Sequence, residues 1–313
     1  MLYEHIPLAS GEFLRKPKSL LKYSIIVVDE VSMVPKDMID LLFKHNIYAI
    51  CLGDPFQLPP VNKNEENHLL DNPHVFLDEI MRQAAESEII QLTMKIRNGE
   101  PLEYFDGENV KIYPKKDLNT GMLLWADQIL VATNATRVNI NNQMRELLGY
   151  EGLPQEGERL ICLRNYWENF DSDGNALING TTGTLHDSFE SFRVLPTWLG
   201  LKTDRVDFIV GNFKSDENSV FKNLNLDKKL IQTGEKTLDW RTEYRLNKMK
   251  KRLGEIVPKE FAFAYAITAH KAQGSEWDKV LVIEERFPFD KEEHARWLYT
   301  AATRASEKLV LIR

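Results

Sequence analysis

Two adjacent carboxylates, Asp29 and Glu30, end the apolar run Tyr23-Ser-Ile-Ile-Val-Val, and they are the first residues of this chain whose types and spacing could do chemistry. An aspartate there can hold Mg2+, usually through water because that ion gives up its hydration shell reluctantly. A neighbouring glutamate can orient and deprotonate an attacking water. A second apolar run, Ile47 to Leu52, leads into Gly53-Asp-Pro-Phe-Gln57-Leu-Pro-Pro, a loop set by Gly and Pro, where Gln57 could sense a terminal phosphate. Together the two segments have the layout of a nucleotide-hydrolysing site. Taken alone, an acidic pair that merely solvates a strand exit is the alternative for Asp29 and Glu30.

Positioning these side chains requires strands. Each run reads as a buried parallel strand of an α/β sheet that delivers its last residues to the carboxyl edge, where such proteins bind ligands. From Leu77 an amphipathic helical pattern through Ile80, Ile89, Ile90 and Leu92 leads to a predicted strand over 127–133 and a helix over 135–148. Between Glu151 and Pro258 the periodicity changes to short, turn-bounded strand candidates at 157–164, 176–186 and 205–213, with no helical crossover between them. That pattern predicts a small antiparallel barrel inserted into the second domain. Alternation then returns, with predicted strands at 261–268, 279–284 and 308–312 and a helix at 293–305.

Several blocks resemble the superfamily-one helicases of the RecD-like branch. Asp29-Glu30-Val-Ser-Met looks like their Walker B motif, and the Gly53–Pro60 loop looks like the motif that follows it. The resemblance continues through Leu77-Asp-Glu-Ile-Met-Arg82-Gln83, through Tyr265-Ala-Ile-Thr268-Ala-His270-Lys271-Ala-Gln273-Gly274-Ser-Glu276, and through Leu298-Tyr-Thr-Ala-Ala-Thr303-Arg304-Ala305. The resemblance implies an α/β fold of RecA-like P-loop NTPase motor domains, the first incomplete, with an SH3-like β-barrel inserted in the second. The domain bounds read as 1–76 for the first motor domain, 77–150 with 259–313 for the second, and 151–258 for the insert.

Residue by residue, the resemblance implies that Arg82 and Arg304 reach the γ-phosphate, where planar guanidinium groups suit phosphate oxygens. Thr268, His270 and Lys271 would donate to DNA phosphates, with Gly274 allowing close backbone approach and Glu276 lying near the nucleotide ribose. Asn134 and Arg137 would add backbone contacts. Outside an ordered motif set, Thr268 and His270 would read as a helix cap and a satisfied buried histidine. The implied cofactors are ATP and Mg2+, and the implied track is single-stranded DNA, followed 5′ to 3′.

One departure matters. The family grips phosphates with a Gly-rich Walker A loop, and no Gly-Lys-Ser or Gly-Lys-Thr occurs in this sequence. Asn179-Gly-Thr-Thr-Gly183-Thr-Leu lacks the lysine and reads as a turn between strands. The expectation is a motor lacking its amino-terminal portion, which binds ATP weakly or not at all alone and needs a partner to supply the Walker A segment. Two other readings stand beside it: a non-catalytic DNA-binding or assembly subunit of a helicase or exonuclease complex in repair or recombination, and an RNA helicase of the same superfamily.

Composition agrees with a soluble, cytoplasmic protein of about two domains. No apolar run is long enough to span a bilayer, and Glu4 and His5 stand where a secretory signal would be basic and then apolar. Cys51 and Cys162 have no metal-ligand spacing and read as reduced core residues. The net charge of −7 disfavours a broadly basic nucleic-acid protein but not a narrow basic groove. Lys16 with Lys18, Lys228 with Lys229, and Asn247-Lys-Met-Lys-Lys-Arg252 are local basic clusters, the last reading as a solvated helix face.

Overall fold

A computed structural model of the chain describes residues 3–7, 13–17, 23–60, 65–77, 87–199, 204–288 and 290–313, which fall into two compact units. The first comprises Pro17–Arg137 and Ala266–Arg313, and the second Tyr3–Lys16 and Val138–Tyr265. The boundaries fall inside the helix Asn134–Leu148 and between the strands Phe261–Phe263 and Ala266–Thr268.

In the first unit the carboxylate-bearing run forms the strand Ile25–Val28, paired in parallel with Tyr48–Cys51 in register from Ile25↔Tyr48 to Val28↔Cys51. The helix Lys36–Lys44 lies between them in sequence and buries Ile39 and Leu42. The expected burial of both strand faces is corrected by the structure. Ile25, Val27, Tyr48 and Ile50 are all at least half exposed, because alternate side chains point to a face that no described layer covers.

The larger sheet of this unit runs in the order Ala266–Thr268, Gln128–Val131, Trp277–Ile283, Ala305–Ile312, Val110–Tyr113, Phe105–Asp106. All neighbours are parallel except the last pair. Its central strands are near-continuous apolar runs, as two-sided burial demands: Leu130, Val131, Val280, Leu281 and Ile312 are essentially inaccessible. The helix Lys291–Ala302 packs Trp297, Leu298, Ala301 and Ala302 into the core and starts where Asp290 accepts hydrogen bonds from the amides of Glu292 and Glu293. The helix Glu88–Arg97 is tied to the sheet by its first carboxylate, which accepts the amides of Asn109 at 2.7 Å and Val110 at 2.9 Å.

The second unit is built on a five-stranded antiparallel sheet in the order Val220–Leu226, Arg205–Ser215, Thr182–Val194, Arg159–Cys162, Phe261–Phe263. Two backbone hydrogen bonds, Asp227 N to Lys259 O at 2.8 Å and Lys259 N to Asn225 O at 2.6 Å, draw its two edge strands together. Leu160, Leu185, Phe213 and Phe261 fill its interior, and the rings of Phe213 and Phe261 meet edge to face at 5.1 Å. Gly183 is obligatory there, since a Cβ would lie 2.1 Å from the Lys214 carbonyl oxygen. The single strand expected over 261–268 is two. Phe261–Phe263 joins this antiparallel sheet, and Ala266–Thr268 joins the parallel one. A fully buried run carries no periodicity to mark the point where the chain changes sheets.

Candidate nucleotide and nucleic-acid site

All the predicted site residues that the structure describes lie in the first unit, some after the strands of its two-stranded sheet and the rest at the two opposite edges of its larger sheet. Arg82 falls outside the described residues. Asp29 and Glu30 leave the carboxyl end of Ile25–Val28. Asp29 is exposed, and its Oδ1 accepts the Glu30 amide at 2.9 Å. Glu30 sits in the left-handed region with φ 50 and ψ 44, a conformation uncommon for a residue with a side chain and concentrated at functional sites. The following turn is clamped by Asn67, whose amide donates to the Val31 and Val34 carbonyls at 2.8 and 2.7 Å.

From the neighbouring strand the Gly53–Pro60 loop carries Gln57, which is buried while its Oε1 has no hydrogen-bond partner among the described residues. The loop is fastened to two other motifs. Leu58 donates its amide to Thr300 Oγ1 at 2.9 Å, Gln273 Nε2 donates to the Leu58 carbonyl at 2.8 Å, and the Tyr299 hydroxyl donates to Asp54 Oδ2 at 2.7 Å. Burial raises the Tyr299 pKa, and its bond to the Asp54 carboxylate raises it further. The Arg97 guanidinium covers the Phe56 ring at 3.8 Å. A cavity of about 350 Å3 opens beside this loop, lined by Phe56, Gln57, Asn67, Arg97, Arg296 and Tyr299.

Arg304 follows the helix Lys291–Ala302 and immediately precedes the strand Ala305–Ile312, at the amino edge of the sheet. It is 7% exposed, and its guanidinium donates only to neutral oxygens: the carbonyls of Thr300 at 3.1 Å and Ser275 at 3.2 Å, and Thr303 Oγ1 at 3.1 Å. Burial works against its charge. The negative charge of Glu30 and Glu276 works for it, followed by Tyr299 and Asp54, yet no described carboxylate reaches ion-pair distance. A buried guanidinium stays protonated, so this one is a positive charge held in place without a countercharge. Glu276 is exposed in the turn beside it, and Gly274 in that turn has φ +77.

The opposite, carboxyl edge carries the other group. Thr268 ends one strand in register with Val131 of the next, so Thr268 and the segment Thr133–Arg137 emerge side by side. By strand rise the two edges are about 20 Å apart, the distance from Trp277 to Ile283 along one strand. Thr268 caps no helical amide with its side chain. His270 is held below its usual pKa by burial, so at neutral pH it offers a hydrogen bond and no charge. Lys271 is half-buried on the same turn. Asn134 Oδ1 accepts from Arg137 Nε at 3.2 Å, and partial burial lowers the Arg137 pKa. Glu285, at the end of the adjacent strand, organises this edge by accepting the amides of Ala132 and Thr133 at 2.6 and 2.9 Å and the Thr136 hydroxyl at 2.5 Å.

The structure therefore groups Glu30, Gln57, Glu276 and Arg304 on one side and Thr268, His270, Lys271, Asn134 and Arg137 on the other. Asn67, Arg97, Tyr299 and Glu285 are additions that motif reading did not find. Only the position of Tyr299 inside the Leu298–Ala305 block carried a signal. Among the described residues no three carboxylate, imidazole or thiol groups converge on a cation site.

Residues 263–312 match the UvrD-like helicase C-terminal domain, and residues 9–117 match an AAA domain. Among solved structures, the chain is similar to the Pif1 helicase of Candida albicans, at 17% identity, covering 93% of this chain and 72% of that one with a TM-score of 0.51. It is also similar to a Bacteroides Pif1 helicase in complex with ADP-AlF3 and single-stranded DNA, at 19% identity, covering 93% and 71% with a TM-score of 0.52. The uncharacterized protein R530 of Acanthamoeba polyphaga mimivirus is 25% identical over 374 residues, covering 91% of this chain and 74% of its own length. The chain thus shares the α/β fold of these Pif1 helicase structures. No helix of the described residues is long and apolar enough to cross a membrane.

Proposed function

We propose that this chain is the greater part of an ATP-driven motor that moves 5′ to 3′ along single-stranded DNA. The observation that carries the reading is Arg304: a buried guanidinium with no described carboxylate at ion-pair distance, held by three neutral oxygens within the field of Glu30, Glu276 and Asp54. Burying an unpaired charge is costly, and an anion delivered to that place would relieve it. Glu30 would orient and deprotonate the attacking water, and the unpartnered Oε1 of Gln57 would accept from that water. Asp29 would help hold Mg2+, which when bound would neutralise charge on the transferring phosphoryl group. Thr268, His270, Lys271, Asn134 and Arg137 would hold the DNA backbone.

Coupling between the two sides would run through the Gly53–Pro60 loop, which is bonded to the Arg304 motif and to the segment that leads from Lys271 to Glu276. Leu58 is bonded to Thr300, in the Arg304 motif, and to Gln273, two residues beyond Lys271. Movement of the phosphate sensor would therefore be felt at Thr300 and Gln273. The domain bounds 1–76, 77–150 with 259–313, and an SH3-like barrel over 151–258 complete the reading, the barrel supported by the hydrogen bonds that join its edge strands.

The 313 residues contain no Gly-Lys-Ser or Gly-Lys-Thr, so tight triphosphate binding would require a phosphate loop from a further segment or partner. The same feature supports a second reading, a DNA-binding subunit that does not itself turn over ATP. The test is phosphate release with and without oligothymidylate, by the chain alone and mixed with a Walker A segment from a helicase of this fold. The motor reading predicts negligible turnover alone and DNA-stimulated turnover in the mixture that vanishes in Glu30→Gln. DNA binding with no turnover in the mixture supports the subunit. Failure to bind single-stranded DNA sinks both.

A further inference from the structure

The basic stretch Asn247–Arg252, left without a role by the motor, is part of a surface that the structure builds in the second unit. The helix Trp240–Lys248 buries Thr242 and Leu246, the latter in a cluster with Leu195, Val206, Phe208, Leu238 and Ile256. Its start is fixed by Asp239, which accepts the amides of Arg241 and Thr242. With one face anchored, the other is held outward, and the short helix Lys250–Leu253 continues it.

That outward face combines two kinds of side chain. Arg241, Arg245, Lys248, Lys251 and Arg252 are exposed, and none forms an ion pair with a described carboxylate, whereas the acidic residues nearby are committed elsewhere: Glu243 to Arg164, Glu255 to Lys259 and Lys250, and Glu168 to Lys250. Interleaved with these cations are exposed aromatics, Trp240 at 72%, Trp198 at 53% and Tyr244 at 38%. Each ring carries a cation: Arg241 on Trp240 at 5.3 Å, Lys248 on Tyr244 at 4.2 Å and Arg252 on Trp198 at 4.8 Å. A helix that merely solvates its outer face has no need to expose Trp240 next to a turn that exposes Trp198, since tryptophans are among the most expensive apolar surfaces to leave in water.

We propose that this face is a docking surface for single-stranded DNA, with phosphates held by the unpaired cations and bases stacked on Trp240, Tyr244 and Trp198. It rests on the reading that single-stranded DNA is the track. Charge complementarity singles out a polyanion, since the surface is basic on a chain whose net charge is −7. The rings single out an anion that brings planar groups to stack, which a bare phosphate or a lipid headgroup does not.

The experiment is fluorescence anisotropy of labelled oligothymidylate with the full chain across a salt series, using Trp240→Ala with Tyr244→Ala as one variant and Arg241→Gln, Arg245→Gln and Lys248→Gln together as another. These side chains are exposed, and circular dichroism checks that the fold is kept. The aromatic variant is expected to bind roughly tenfold more weakly with its salt dependence unchanged. The charge variant is expected to flatten the slope of log affinity against log salt by about 2, at about 0.7 per lost phosphate contact on a single strand. Lys222→Gln, an exposed charge elsewhere in the unit, should change neither. Undiminished binding by both variants, or an equal loss in Lys222→Gln, overturns this surface while leaving the motor standing. Loss of binding to anionic vesicles or oligouridylate with oligothymidylate unaffected assigns the face to another partner and overturns it too. A wild-type chain that binds no oligothymidylate removes both this surface and the motor.

Discussion

Arg145 and Arg304 are buried to almost the same depth, 9% and 7% exposed, but their surroundings differ. Arg145, in the second unit, pairs bidentately with the fully buried Glu158 at 2.7 and 3.1 Å and donates two further protons to the carbonyls of Gly152 and Leu153. Arg304, in the first unit, is gripped by three neutral oxygens and faces carboxylates that stay out of reach. The first arginine completes a fold, and the second, on the function proposed above, is left for a ligand. The same contrast separates two carboxylates. Asp171 accepts hydrogen bonds from Asn175 and Asp173 inside its own loop and from Ser219 in a neighbouring turn, whereas Glu30 is half-buried in a left-handed turn at a strand exit.

If the contrast is right, the largest effect of any substitution should fall on turnover. Arg304→Ala, assayed by phosphate release in the mixture with a Walker A segment, is expected to lose about 10³- to 10⁵-fold while affinity for oligothymidylate stays within about twofold. Equal loss of both would make Arg304 structural. The complementary substitution, Glu158→Ala, strands Arg145 in the core and is expected to destabilise the second unit by about 3–5 kcal/mol in urea denaturation. A loss below about 1 kcal/mol would show that the pair is no more than a surface bridge.

A smaller effect sharpens the coupling. Tyr299→Phe deletes the hydroxyl bonded to Asp54 and should lower stability by about 1 kcal/mol. In the mixture it should weaken the stimulation of turnover by DNA more than basal turnover, and unchanged stimulation would remove Tyr299 from the coupling path. The smallest effect is in acid. Four hydrogen bonds, from the Ser219 hydroxyl first and then from Asn175 and Asp173, hold the Asp171 carboxyl down to about 2 from an ordinary 3.8. A depressed carboxylate stabilises the fold above its unfolded pKa and loses that stability as pH falls through the folded one. The wild type should therefore weaken between about pH 4 and pH 2, and Asp171→Asn should show a flatter pH profile over that window, measured by thermal unfolding.

Which of these features could be read from the residues follows from how local they are. The strands Ile25–Val28, Tyr48–Cys51 and Gln128–Val131 announce themselves as apolar runs ending in polar residues, and the helix Lys291–Ala302 has a capping aspartate at its start. The positions of Glu30, Gln57 and Arg304 were legible because each sits in a block of residues whose order resembles one family. Contacts between distant positions left no such mark. Asn67 clamps a turn 33 and 36 residues away, Glu285 organises a loop about 150 residues earlier, and Tyr299 reaches Asp54 across 245. Nor did the apolar content of Ile25 and Val27 reveal that their face is uncovered, since an apolar side chain looks the same in sequence whether or not a layer lies over it.

The most direct measurement compares the two buried arginines in the chain as it stands. Arg145→Met and Arg304→Met each replace a buried charge by an apolar side chain of similar length, and equilibrium urea denaturation gives the change in stability of each. Removing Arg145 leaves Glu158 charged and unpaired, so a loss of about 3–5 kcal/mol is expected, whereas removing Arg304 leaves no ion-pair partner behind and should be neutral or stabilising. An Arg304→Met loss as large as that of Arg145→Met would mean that the fold depends on this guanidinium, and the claim that it is held for an incoming phosphate would be contradicted.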